Sequence, residues 1–104
     1  MSAHANPERG EAAIVVAGRT LRLRPSFAAL VAAEEELGPL FALVERASAG
    51  QLRLSELAAL FWHCLDDRQG LTREALGEAL ARAGLAAAAC PLRAILVQIL
   101  QGGT

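Results

Sequence analysis

Ile14-Val-Val-Ala-Gly-Arg-Thr-Leu-Arg-Leu-Arg-Pro-Ser-Phe27, continued by Ala28-Ala-Leu-Val-Ala-Ala-Glu-Glu-Glu-Leu-Gly38, carries a change from strand to helix on which the architecture hangs. Thr20-Leu-Arg-Leu-Arg24 alternates with period two, the mark of a strand buried on one face. Pairing it with residues 11–16 across Ala17-Gly18 makes a two-residue hairpin, because glycine takes positive φ without a Cβ clash. That register puts Ala12, Ile14, Leu21 and Leu23 on one face. Thr20, Arg22 and Arg24 share the other with Ala13 and Val15. A lone hairpin is marginal in water, so its apolar face needs helices against it. Pro25 stops the strand, and Ser26 is a suitable N-cap for a helix over 27–37. Its apolar stripe is expected to be Phe27, Leu30, Val31 and Leu37, with Gly38 as the left-handed exit.

Downstream, the periodicity predicts four more short helices, at about 39–48, 56–66, 73–83 and 91–101. The second carries Leu40, Leu43, Val44 and Ala47. Ser55 is the expected cap of the third, which sets Leu57, Leu60, Phe61, Cys64 and Leu65 at helical spacing. Thr72 opens the fourth, with Leu76, Ala79, Leu80 and Ala83 along it and Gly84 closing it. Gly77 inside that helix costs about 1 kcal/mol against alanine, which suggests a close helix approach. Pro91 is read as the first residue of the last helix, with Leu92, Ile95, Leu96, Ile99 and Leu100 inward. The expected fold is therefore mostly α (α+β), an N-terminal β-hairpin (11–24) packed on a bundle of about five short helices. One globular domain spans 11–101, residues 1–10 form a polar flexible tail, and 102–104 fray.

The chain has 104 residues, 54% of them apolar and only 4% aromatic. Its eighteen leucines and twenty-three alanines suit closely packed helices, because alanine lets backbones approach and favours helix intrinsically. All ten basic residues are arginine, a bias that a GC-rich coding genome accounts for. A net charge of −1 gives no bulk attraction to nucleic acid. The N-terminus lacks the apolar core of a signal peptide, and no apolar run approaches the ~20 residues that span a bilayer. Cys64 and Cys90 lie apart in apolar surroundings and read as buried free thiols. The reading is a cytoplasmic protein with no membrane segment.

Candidate chemistry fails on spacing. His63 and Asp67 share a helix face, but zinc needs three or four protein ligands, and Cys64 points into the apolar stripe. Residues 65–76 place leucine at both ends of a would-be calcium loop, where oxygen ligands are required. Cys64 and His63 are neighbours whose side chains diverge by roughly 100° on a helix. No nucleophile elbow or phosphate loop is present. No enzyme, cofactor or metal is expected. The helix pair from Ser55 to Ala83 has the spacing of a helix-turn-helix module. Its second helix, however, mixes Arg73 and Arg82 with Glu74 and Glu78, a poor surface for phosphates and base edges.

The Gly18-Arg19 turn, the alternating strand, the Arg24-Pro-Ser-Phe27 corner and the helix ending in Leu37-Gly38 together resemble a known family. These are the small proteins of phage tails and gene transfer agents described as tail assembly chaperones. The resemblance runs from Asn6 to Leu85 and extends to the helix start at Leu54-Ser55-Glu56-Leu57; Cys90 to Thr104 carries no motif of it. It implies a non-enzymatic morphogenesis protein that holds tape-measure or tail-tube protein soluble, or a structural component of the tail. The alternative from another class is a small DNA-binding regulator using the Ser55–Ala83 helix pair.

Three features point to protein contacts. Glu34 falls between Phe27 and Leu30 on the helical wheel, where it meets either an arginine of the hairpin or a partner. Trp62 lies outside the Leu57–Leu65 stripe, either covering a neighbouring helix or anchoring a contact. The last helix, including Val97, is apolar around much of its circumference and is either central to the fold or an oligomer seam. Glu34, Trp62 and Val97 are the candidate contact residues, and a homo-oligomer is expected.

Overall fold

A computed structural model describes residues 12–16 and 18–102 of the chain. The tail at 1–10 and the last two residues lie outside the described residues. Strand β1 (Ala12–Val16) and strand β2 (Arg19–Leu23) pair antiparallel, followed by α1 (Phe27–Leu37), α2 (Leu40–Ser48), α3 (Leu54–Cys64), α4 (Arg73–Ala83) and α5 (Leu85–Gln101). This is the hairpin-plus-five-helix architecture that the sequence predicts. The Cα radius of gyration, 12.5 Å, matches the roughly 13 Å of a single domain of this length.

The hairpin register is the expected one, with Ala12 opposite Leu23, Ile14 opposite Leu21 and Val16 opposite Arg19. Gly18 takes φ 77° in the turn. Ala12, Ile14, Val16, Leu21 and Leu23 are buried, while Ala13 and Val15 face out. The far edge of β2 is partly closed by the chain leaving α3. The Arg24 amide donates to the Cys64 carbonyl (2.6 Å) and the Asp66 amide to the Arg22 carbonyl (3.0 Å). Leu65 thereby bridges to Leu23, and the Arg22 guanidinium pairs with the Asp66 carboxylate across the same seam. A two-stranded sheet is in this way tied to the end of the central helix.

That central helix is α3. Leu57, Ala58, Ala59, Leu60, Phe61 and Cys64 are all buried, because α1 and α4 pack on it from two sides. The predicted stripe is correct here, but the helix begins at Leu54 rather than 56. Ser55 is not its cap: Arg53 occupies that position, and its amide donates to Glu56 Oε1 at 3.0 Å. A carboxylate three residues on thus reaches back to the N-cap amide, the reciprocal half of a capping box, and the helix starts without a serine cap. The helix ends at Cys64 because Leu65 is drawn into its bridge with the sheet.

The other two side-chain caps are as predicted. The Ala29 amide donates to Ser26 Oγ (3.2 Å) and the Ala75 amide to Thr72 Oγ1 (3.1 Å). Gly77 faces Ala58 of α3, but the approach does not require glycine: a Cβ there would stand 3.9 Å from the Ala58 Cβ, an ordinary van der Waals contact. Helix α5 departs most from expectation. It begins at Leu85, six residues ahead of Pro91, which sits buried inside it. The run Ala86–Ala89 has the highest helix propensity available and carries the helix through the proline, although the Ala87 carbonyl loses its usual donor. Ile95 is buried, Leu92, Leu96 and Ile99 are half-buried, and Leu100 is exposed rather than inward. Cys64 is a buried free thiol whose burial pushes its pKa up to about 12; Cys90, expected to be buried, is exposed.

No single helix among the described residues is long and apolar enough to cross a membrane. Helices α4 and α5 reach that length only together, and they bend through 116°.

Candidate functional site

The first helix is rotated relative to the expected stripe: Leu37 packs partly against the core as expected, but Phe27 and Val31 do not. Its buried residues are Ala29 and Ala33, small enough to bring the backbone close to α3. Phe27 is 86% exposed, Val31 is exposed and Leu30 only half-buried. At 100° per residue, Phe27, Val31 and Glu34 fall within about 60° of one another on the side away from the core. Glu34 therefore lies on the outer face rather than in the core, and the hairpin arginine expected to meet it does not. Its Oε2 accepts the Leu40 amide at 3.1 Å, pinning the turn between α1 and α2. Arg22 is engaged with Asp66 instead.

Just past that turn Phe41 is 76% exposed. Glu34, Pro39, Leu40, Phe41 and Ile99 enclose a cavity of about 230 Å³ between the start of α2 and the end of α5. Val97 is exposed on α5. Trp62 lies elsewhere, half-buried on α3, with the Arg68 guanidinium 4.0 Å over its ring and donating to its carbonyl at 3.3 Å. Of the three candidate contact residues, Glu34 borders this outward apolar surface, and Trp62 already has an intramolecular cation as cover.

A charged cluster that the sequence reading missed joins three helices. Arg73 of α4 forms a two-pronged pair with Glu36 of α1 (2.7 and 2.8 Å), and His63 Nε2 of α3 lies 2.8 Å from the same carboxylate. Arg73, and then His63, hold the Glu36 carboxyl well below its ordinary range, at about 2. The signal was present: Glu36 shares an arc of α1 with Ala29 and Ala33, the buried residues on the side packed against α3. Asp67 accepts the Gln69 amide at 3.0 Å, and no group of three or more metal-ligating side chains occurs among the described residues. Arg73, the first basic residue of a would-be recognition helix, is committed to Glu36 inside the molecule.

The free edge of β1 is a second surface. Val16 and Arg19 close the turn, so Ala13 and Val15 direct their backbone N–H and C=O groups away from β2. Among the described residues no backbone group meets them. Beside them lies a cavity of about 240 Å³ walled by small residues that include Ala79 and Ala83 of α4, Ala87 of α5 and Gly84 between the two helices.

The family described as phage tail tube protein, GTA-gp10, matches residues 9–102. The chain belongs to that family. No curated protein and no solved structure matches it. Membership makes it a phage-tail or gene-transfer-agent protein, in agreement with the resemblance carried by the hairpin and first helix. The matched span also takes in α5, where the sequence offered no motif.

Proposed function

We propose that this tail protein is a non-enzymatic assembly chaperone, which binds tape-measure or tail-tube protein and keeps it soluble during tail construction. The observation that supports this reading is the outward set of Phe27, Val31 and Phe41. Bulky apolar side chains face out while alanines face the core, the reverse of what an isolated monomer gains from. Such a protein acts by covering apolar helical surface with apolar helical surface, at no chemical turnover. The test is co-expression with a tape-measure or tail-tube fragment that aggregates alone. The fragment should remain in the soluble fraction without nucleotide or metal and at moderate salt, because apolar burial is weakly screened. Retention of the protein on duplex DNA with no effect on fragment solubility would instead support the regulatory module.

The open edge of β1 favours a second reading, a structural component whose copies add strand to strand within the tail. Its uncharged Ala12–Val16 segment lacks the lysine, proline or bulge that usually protects an edge. That reading requires a homo-oligomer, and light scattering at increasing concentration would detect it.

A further inference from the structure

The outward face of α1 and the start of α2 carry both an apolar anchor surface and a single sign of charge. Phe27 and Phe41 are the two most exposed large apolar side chains of the described residues. Glu34 shares the outward arc of α1 with Phe27 and lines a cavity together with Phe41 and Ile99. Glu35 follows it on α1, and Glu45 is exposed on α2. No basic residue occurs in α1, and the one arginine of α2, Arg46, is held at 2.5 Å by Glu56. The Glu56 carboxyl is in turn lowered by the Arg53 amide and by Arg46. The charge that α1 and α2 themselves offer on this face is therefore negative, while the exposed Arg24 lies ahead of Phe27, at the other end of α1 from Glu34 and Glu35. Its backbone is helical, so it presents no strand edge, and recognition must proceed through side chains.

We infer that this face receives an amphipathic helical segment of another protein, with apolar anchors seated against Phe27, Val31 and Phe41. A lysine or arginine on that segment faces Glu34 and Glu35. The inference deepens the chaperone reading, on which it rests for the identity of the partner but not for its chemistry. Apolar anchors in a groove supply affinity, and the acidic border selects which apolar helices dock.

The probes are two fluorescein-labelled sixteen-residue amphipathic peptides with the same leucine face, one with lysines on its polar face and one with glutamates. Anisotropy at 150 mM salt should show the lysine peptide binding at least tenfold more tightly. Phe27→Ser with Phe41→Ser should weaken it at least tenfold at an unchanged urea midpoint. Glu34→Gln with Glu35→Gln should erase most of the preference between the peptides, since glutamine keeps the oxygen that accepts the Leu40 amide. Backbone shift changes on binding should cluster at 27–34 and 39–45. Equal binding of both peptides, no binding of either, or undiminished binding by the double serine variant would overturn the inference. Peptide binding without any effect on tail-fragment solubility would sink the chaperone reading alone. A solubilised fragment with no peptide binding would sink only this surface assignment.

Discussion

Helices α1 and α3 are each eleven residues long and both are rich in alanine and large apolar side chains, yet they meet opposite fates. In α3 the large residues Leu57, Leu60 and Phe61 are interior, and helices flank it on two sides. In α1 the fully buried residues are Ala29 and Ala33, Leu37 packs partly against the core, and the phenylalanine stands in solvent. The difference teaches that an apolar arc on a helix need not be a core arc. Where two arcs compete, the one that lets backbones approach can win, and the other is left facing solvent.

The two helices should differ most in what the loss of a phenylalanine does to stability. Phe61→Ala should cost about 3–5 kcal/mol, the usual range for emptying a filled core site. Phe27→Ala should stay within about 0.5 kcal/mol of the parent, as exposed substitutions do. Urea denaturation of the two variants decides it; a loss above 2 kcal/mol at Phe27 would mean that α1 is seated the other way round.

A smaller effect is expected at the start of α1. Ser26→Ala should lose about 1 kcal/mol through the vacated Ala29 amide, and Ser26→Asp should be near neutral because a carboxylate also suits a helix N-terminus. Equal losses in both would remove the cap from the account. Of similar size and opposite sign is Gly77→Ala, expected to stabilise by up to about 1 kcal/mol, since the new methyl fits against Ala58 and glycine is entropically costly in a helix. A destabilised variant would show that α3 and α4 approach more closely than the 3.9 Å spacing allows.

The smallest effect concerns the cluster that ties α1 to α3 and α4. Glu36 has its carboxyl lowered from 4.5 to about 2, so it contributes stability above its unfolded value, and that contribution disappears as pH falls through the folded one. Its side chain is 38% exposed, so solvent screens much of the attraction. The urea midpoint of Glu36→Gln should lie slightly below the parent at pH 7, with the gap closing between pH 4.5 and 2. A gap that is constant across that range would detach Glu36 from the docking of α1.

Much of this was legible in the chain. The alternation of Thr20 to Leu23 and the glycine at position 18 specify the hairpin, because a slip by one residue would turn Leu21 and Leu23 to water. Ser26 and Thr72 announce helix starts through side-chain oxygens that reach the third amide on. The orientation of α1 was not legible, since a period of 3.6 identifies arcs without saying which one faces the core. Pro91 misled for a related reason: proline is favoured at a first helical position, and nothing local reveals that an alanine run has already begun the helix. The Glu36–His63–Arg73 cluster required knowing which helices touch, a fact of tertiary packing. Among the contact candidates, the exposure of Glu34 and Val97 and the arginine cover on Trp62 likewise follow from packing that the periodicity does not contain.

The central claim is that the side of α1 turned away from α3 exists to be covered by a tail protein. Its most direct measurement is the soluble fraction of a co-expressed tape-measure or tail-tube fragment, with the parent protein and with the Phe27→Ser, Phe41→Ser double variant at matched expression. The fragment should be soluble with the parent and pelleted with the double variant, at equal urea midpoints for the two. A fragment that stays soluble with the double variant, or pellets with both, would contradict that claim.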